Sequence, residues 1–282
     1  MDSLIFHNDR IAPLGEVHLS PGQCGLLMGW GVFTTVRIYR GIPFAFERHW
    51  TRISRDAERL EIELPYTCEF VRKAIIDLAA ANHQPEGVGR VSFVKNQGGL
   101  WAQAEDLPAT DLIIFTKPVT PWPAAHRLMI EPGGIYSGGH FAGAKMLSWV
   151  PHIAMYQRAH EAGFDDALLL NEKDHLAECT SANIFLVRGG EVLTPPLSSG
   201  CLGGITREVL LEIAPRCRFK FREADLTAED LSTAKEVFIS STTREVAGVG
   251  FIHPKWNYPC PGNTTVAMDA AFKKYVQEYL KV

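Results

Sequence analysis

Lys145 stands among Ala142, Gly143, Ala144, Met146 and Leu147, small and nonpolar company for a side chain that is ordinarily solvated. Such surroundings penalise the ammonium form, lower the pKa and free the amine to attack a carbonyl and form a Schiff base. An ordinary surface lysine is the alternative. Glu178, in HLAECTSANIFLV, lies between a turn at 172–174 and a strand expected from about Asn183. A half-buried acid there is either a satisfied turn residue or the partner of a bound cofactor. GCLGGITR (200–207) is a glycine-rich turn running into a helix expected from Ile205, with Thr206 in its first turn. The free N–H groups and dipole at such a helix end suit an anion, a phosphate above all, and a plain N-cap is the other reading. SSTT at 240–243 ends a strand with hydroxyls in series, again suited to phosphate or carboxylate.

Other chemistries find no support. GGHFAGAK (138–145) has the outline of a phosphate loop, but Ala144 precedes the lysine and Met146 follows it. A Walker A loop needs Gly-Lys-Ser/Thr, so a flexible loop leading into a helix is expected. No G-x-G-x-x-G follows a strand, and G-x-S-x-G is absent. The six cysteines form no C-x-x-C pair, and the ten histidines show neither H-E-x-x-H nor zinc spacing, so reduced thiols and no metal are expected. Lys plus Arg total 28 against 32 Asp plus Glu, a net charge of −4 that offers no basic excess for nucleic acid. No apolar run approaches the roughly 20 residues of a membrane span. The N-terminus, with Asp2, Asp9 and Arg10, lacks a secretory pattern, so a cytoplasmic location is expected.

The candidate groups need a frame, and at 46% hydrophobic and 21% charged the chain has the composition to build one. Its 282 residues allow two modest domains or one large one. Residues 32–39 alternate β-branched and aromatic types and run into Arg40-Gly41 and Pro43, a strand and hairpin. In 47–60, Trp50, Ile53, Ala57 and Leu60 recur at helical steps; 70–81 reads as a second helix, and 90–94 and 111–116 as strands. This small α+β domain, 1–116, ends at KPVTPWPA (117–124), whose three prolines make an extended linker. The larger domain, 125–282, carries short strands at 127–130, 166–170, 183–187, 191–193 and 236–239, and helices at 152–162, 205–214, 228–231 and 265–280.

Taken in order, these segments resemble the class IV (fold type IV) aminotransferases, which use pyridoxal 5'-phosphate and include branched-chain and D-amino acid aminotransferases, (R)-selective amine transaminases and aminodeoxychorismate lyase. The likeness runs from Gly22 to about Val249. MGWGVFTTVRIYRGIPFAFERHWTRI (28–53) resembles the opening strand, hairpin and helix, ending in the H-x-x-R of His49 and Arg52; by that match Arg52 holds the cofactor phosphate. KMLSWV resembles the lysine segment, so Lys145 is the implied catalytic residue and Schiff-base former. ECTSANIFLV, with E-x-x-x-x-N-[IL]-F, is the most specific piece: Glu178 pairs with the pyridinium nitrogen by resemblance, and Asn183 falls among the cofactor-binding positions. TPPLSSGCLGGITRE (194–208) places Leu202 against the ring and Ile205 and Thr206 on the phosphate, and SSTTREV adds Thr242. The resemblance implies an α+β, two-domain fold: a smaller N-terminal α/β sandwich and a larger C-terminal domain with a many-stranded β core flanked by helices. It also implies a homodimer.

The chemistry accounts for these residue types. A carboxylate beside the ring nitrogen keeps it protonated so that the cofactor accepts electrons, while the lysine, once displaced by a substrate amine, carries the proton as general acid/base. The chain departs from common family patterns at Trp30 in Gly29-Trp30-Gly31, at Gly203 where proline is frequent, and in KNQGGLW (95–101), which lacks the arginine-containing loop of many D-amino acid enzymes and lyases. Ser148 and Trp149 also differ from the pair seen in many branched-chain enzymes. Phe33, Thr35 and Arg37 share one strand face, with Arg37 as the expected carboxylate receiver and Met28, Trp149 and Thr243 as expected neighbours. Such a partly apolar pocket favours a hydrophobic or branched-chain amino acid and its 2-oxo acid. The leading expectation is therefore an aminotransferase; the alternative is an aminodeoxychorismate lyase releasing pyruvate and 4-aminobenzoate. A non-catalytic, amine-sensing protein is disfavoured by the intact Lys145 and Glu178.

Overall fold

The computed structural model describes residues 4–20, 22–98, 108–217 and 219–281. Asp2 and the end of KNQGGLW, residues 99–101, lie outside the described residues. The chain divides into two compact units: the first takes Met1–Thr120 and Ala144–Trp149, the second Pro121–Gly143 and Val150–Lys281.

The first unit contains β1 (Leu4–His7), β2 (Arg10–Pro13), the short α1 (Cys24–Met28), β3 (Gly31–Tyr39), β4 (Ile42–Pro43), α2 (Phe46–Arg59), α3 (Cys68–Ala81), β5 (Gly87–Lys95) and β6 (Thr110–Lys117). Its sheet is antiparallel in the order β2-β1-β6-β5-β3-β4. One face presents Val32, Val36, Ile38, Val91, Phe93, Leu112 and Ile114 to Phe46, Ile53 and Ala57 of α2 and Val71, Ile75 and Leu78 of α3. Period-two burial on the strands meets period-3.6 burial on the helices, and that match fixes which strand face is left for chemistry. The Thr67 side chain accepts the Phe70 N–H and starts α3.

In the second unit β7 (His126–Glu131) is followed by α4 (Val150–Glu161), β8 (Asp166–Leu170), β9 (Leu176–Cys179), β10 (Asn183–Arg188), β11 (Glu191–Thr194), α5 (Ile205–Ile213), β12 (Lys220–Glu223), α6 (Asp230–Thr233), β13 (Glu236–Ser241), β14 (Glu245–Ile252), β15 (Trp256–Asn257) and α7 (Asn263–Tyr279). The mixed sheet runs β12-β11-β10-β13-β14-β7-β8-β9, with β15 on β14. Leucine, isoleucine and valine from seven of these strands form one core, and α5 and α7 pack together on β13 and β14. The α+β expectation with a many-stranded second region is met. Strands β1, β2, β9, β12, β14 and β15 go unread in sequence because they are short or, like EVAGVGFI of β14, interrupted by glycines. Helix α4 starts at Val150, two residues before its expected start, because Pro151 suits a helix's first turn.

Candidate active site

In the first unit the two faces of β3 do different work. On the helix side, Thr34 Oγ1 accepts a bond from Arg52 Nη2 at 2.8 Å and lies 2.7 Å from His49 Nδ1. All three residues are buried. Burial first, then the charges of Arg52 and Lys145, holds His49 well below its ordinary pKa, so the imidazole is neutral.

On the other face, Lys145 Nζ lies 4.5 Å from the centre of the Phe33 ring and 5.7 Å from that of Trp149. The two rings meet edge to face at 5.8 Å. The lysine's backbone belongs to the sheet: Phe33 N–H donates to Lys145 O at 3.0 Å, Leu147 N–H to Gly31 O at 2.8 Å, and Met146 bridges Val32 antiparallel. The free edge of β3 thus captures the end of the loop that leads into α4. A Cβ at Gly31 would fall 2.5 Å from the backbone oxygen of Phe93 on β5, which explains the glycine after Trp30.

Thr35 lies on the Phe33 face and pairs with Arg90 of β5. Arg90 was not singled out from sequence, where it read only as the start of a strand. Its guanidinium sits 3.8 Å above the Phe33 ring, and burial holds its pKa below the usual arginine value. Arg37 is four residues from Phe33, about 13 Å along the strand. It donates to Gly87 O at 3.1 Å, lies 3.8 Å from Glu86 and covers the Tyr39 ring. The Met28 side chain is exposed, but its carbonyl and that of Gly29 accept from Ser148 Oγ at 3.3 and 2.8 Å, tying the end of α1 to the lysine segment.

The second unit gathers the other candidates. Glu178, near the end of β9, is buried, and Asn183 opens β10 just across the turn. Asn183 Nδ2 donates to Leu202 O at 2.8 Å and lies 3.4 Å from Glu178 Oε2, joining the acid to the glycine turn. Gly204 is the N-cap of α5, and no side chain caps that end. A Cβ at Gly204 would fall 2.1 Å from Asn183 Oδ1, so only glycine lets the helix start this close. Ile205 and Thr206 form the buried first turn, with Leu202 half-buried before it. Thr242 and Thr243 sit half-buried in the turn between β13 and β14, next to Ser240, whose buried Oγ has no hydrogen-bond partner.

That turn is held by Arg244. Its Nη2 lies 3.0 Å from Asp166 Oδ2 in a pair whose side chains are fully buried, and its Nη1 donates to Ser181 Oγ at 2.8 Å. Asp166 also accepts from the Thr180 N–H at 3.1 Å and the Ser181 hydroxyl at 2.9 Å. The ion pair therefore pins the Thr242 turn to the β9–β10 hairpin that carries Glu178. FDDALLL and SSTTREV display both partners in sequence, but only tertiary pairing joins them.

The residues fit pyridoxal phosphate. One unit offers an amine over aromatic rings and a buried arginine, and the other a buried carboxylate, an uncapped helix start with Thr206, and the orphaned Ser240 hydroxyl. Among the described residues no helix is long and apolar enough to cross a membrane.

Comparison with known proteins places the chain in a family. The sequence model of amino-transferase class IV matches residues 31–252. The chain is 27% identical over 248 residues to a putative branched-chain-amino-acid aminotransferase of Methanocaldococcus jannaschii, covering 87% of this chain and 86% of that protein. It is 28% identical over 251 residues, with the same coverages, to the D-alanine aminotransferase of Listeria innocua. The fold superposes on branched-chain amino acid aminotransferase from Escherichia coli with a TM-score of 0.89, at 22% identity and covering 98% of this chain and 95% of that one. For a putative 4-amino-4-deoxychorismate lyase from Legionella pneumophila the TM-score is 0.84, at 20% identity over 92% and 95%. With the family model spanning most of its length, the chain belongs to the class IV aminotransferases, enzymes that use pyridoxal 5'-phosphate.

Proposed function

We propose that this transaminase moves an amino group between an amino acid with an apolar side chain, branched-chain amino acids foremost, and a 2-oxo acid. The observation that carries the reading is the group around Phe33: an amine, a second aromatic ring and the Arg90 guanidinium, all on one strand face. Arg90 is the carboxylate receiver in this reading, because Arg37 is engaged with Glu86 and Gly87 farther along the strand. A guanidinium gives a bidentate, charge-assisted grip on a carboxylate, and the rings of Phe33 and Trp149 favour an apolar side chain over a charged one.

When bound, pyridoxal phosphate supplies an electron sink for the pair left when the substrate Cα–H bond breaks. The protein's residues do the rest. Lys145 Nζ would hold the cofactor, and its amine would act as general base toward the substrate Cα proton and then as general acid in delivering that proton again. Glu178 holds a proton on the ring nitrogen, with Asn183 orienting the carboxylate. Arg52, Thr206, Thr242 and the first N–H groups of α5 at Ile205 bind the phosphate, and Leu202 packs on the ring. Binding energy gathered at the phosphate, remote from the reacting carbon, fixes orientation. Thr35 and Thr243 border the substrate in this scheme, and a homodimer is the assembly the family resemblance suggests.

The test is the visible spectrum of the purified holoenzyme during addition of separate L-amino acids, D-amino acids and amines. Bleaching of the yellow band by leucine, isoleucine or valine, with 2-oxo acid formed in equal amount, is the expected result. A band that no amino acid bleaches, with pyruvate released from aminodeoxychorismate, would replace this reading with the lyase, whose fold this chain also shares.

A further inference from the structure

Helix α2 places His49, Arg52, Ile53 and Asp56 on one buried face at steps of three and four residues. Asp56 is a buried acid on that face, 1% exposed. Its Oδ1 accepts from Arg55 Nε at 3.1 Å and Nη2 at 2.8 Å, an arginine whose side chain is half-exposed. Its Oδ2 accepts the backbone N–H of Lys145 at 3.0 Å, 89 residues away in sequence. The two peptide groups of Lys145 are therefore both held within the first unit, the carbonyl by β3 through Phe33 N–H and the amide by α2 through Asp56. The side chain lies over the Phe33 and Trp149 rings.

We propose that Asp56 is a positioning residue for the catalytic lysine: its carboxylate fixes the Lys145 peptide to the helix that carries Arg52, so that the amine and the phosphate-holding arginine keep a constant separation. The inference rests on the reading of Lys145 as the covalent lysine. A carboxylate on a buried peptide N–H makes a charge-assisted bond, stronger than a serine or amide would make, and it lies one helical turn beyond Arg52. If α2 shifts, both groups shift together. Proton transfer by the lysine depends on alignment within about an ångström, so loosening this anchor slows the chemical step while leaving substrate binding largely intact.

The experiment compares Asp56→Leu, which removes the acceptor, Asp56→Asn, which keeps an acceptor oxygen, and Arg55→Met, which removes only the surface half of the pair. Four quantities are read: kcat against KM, the isotope effect with α-deuterated donor, the rate at which apoprotein captures pyridoxal phosphate in a borohydride-stable form, and amide hydrogen exchange at 144–147. Asp56→Leu is expected to lower kcat and slow capture by about ten- to a hundredfold with KM within about twofold. It should also raise the isotope effect and speed exchange at 144–147. Asp56→Asn recovers most of each value, and Arg55→Met stays near wild type. Should Asp56→Leu fail to fold, Asp56→Ser, too short to reach the amide, is read in its place. Wild-type capture and exchange in a folded Leu or Ser variant, or a loss of activity that only follows the folded fraction, overturns the proposal. Lys145→Ala separates the two readings: if it still captures the cofactor at the wild-type rate, the lysine assignment itself fails.

Discussion

The group around Lys145 and the group around Glu178 are held by opposite means. In the first unit the backbone is the fixed part: Lys145 is hydrogen-bonded on both sides of its α-carbon, and its amine lies over rings that attract it. In the second unit the side chains are the fixed part. Asn183 ties Glu178 to the glycine turn, and Asp166 with Arg244 ties the Thr242 turn to the same hairpin. A group that must leave one partner and carry a proton needs a rigid mount. Groups that only hold charge in place are best locked at the tip.

The difference can be broken from either side. Lys145→Ala removes the amine and is expected to lower turnover by about a thousandfold or more and abolish the yellow band, while thermal stability stays near wild type; absorbance and steady-state rates check both. Arg244→Met strikes the locked side. Leaving Asp166 buried without its cation should cost about 3–5 kcal/mol, lowering the melting temperature by about 10 °C, whereas amide exchange at 144–147 in the folded protein is unchanged. Calorimetry with hydrogen exchange tests that separation.

Arg90→Leu probes the substrate end of the first group. Loss of a charge-assisted grip worth about 1.5–3 kcal/mol should raise KM for the amino acid by about ten- to a hundredfold, and Arg37→Leu should change it by less than about threefold. Equal effects would return the carboxylate to Arg37.

Each unit also buries one histidine, and these sharpen the comparison in the smallest effect. Burial, with Arg52 and Lys145 beside His49 and Arg244 beside His126, lowers both pKa values, so both rings are neutral when folded. Unfolding frees them to take up a proton below about pH 6.5. Their stabilisation is therefore complete above that pH and is lost as pH falls toward the lower folded values, with a slope of up to about 1.4 kcal/mol per pH unit for each. Denaturant titrations across this range should show a flatter acid limb for His49→Gln and for His126→Gln. His49→Gln should also change cofactor retention, because its ring shares a hydrogen bond with Thr34 beside Arg52, and His126→Gln should not.

Much of this could be read from the chain. The strand at β3, helices α2, α5 and α7, and the core of the second unit follow from period-two and period-3.6 burial in VFTTVRIY, ERHWTRISRDAERL and their counterparts. Lys145, Glu178 and Thr206 stood out because local sequence alone makes an amine in apolar company, an acid beside a turn, and a glycine-rich helix start unusual. Asp56, Arg90, Asp166 and Arg244 did not, because each acts through a partner dozens of residues away and looks locally like a solvated charge. Gly31 and Gly204 carry the same lesson: their need for a missing Cβ becomes visible only when Phe93 and Asn183 are placed against them.

The central claim is that Lys145 holds the cofactor. Borohydride reduction of the holoenzyme followed by peptide mass mapping tests it directly: the account predicts the phosphopyridoxyl group on the peptide containing Lys145 and on no other. Label on a different lysine, or a yellow holoenzyme that yields no labelled lysine, would contradict it.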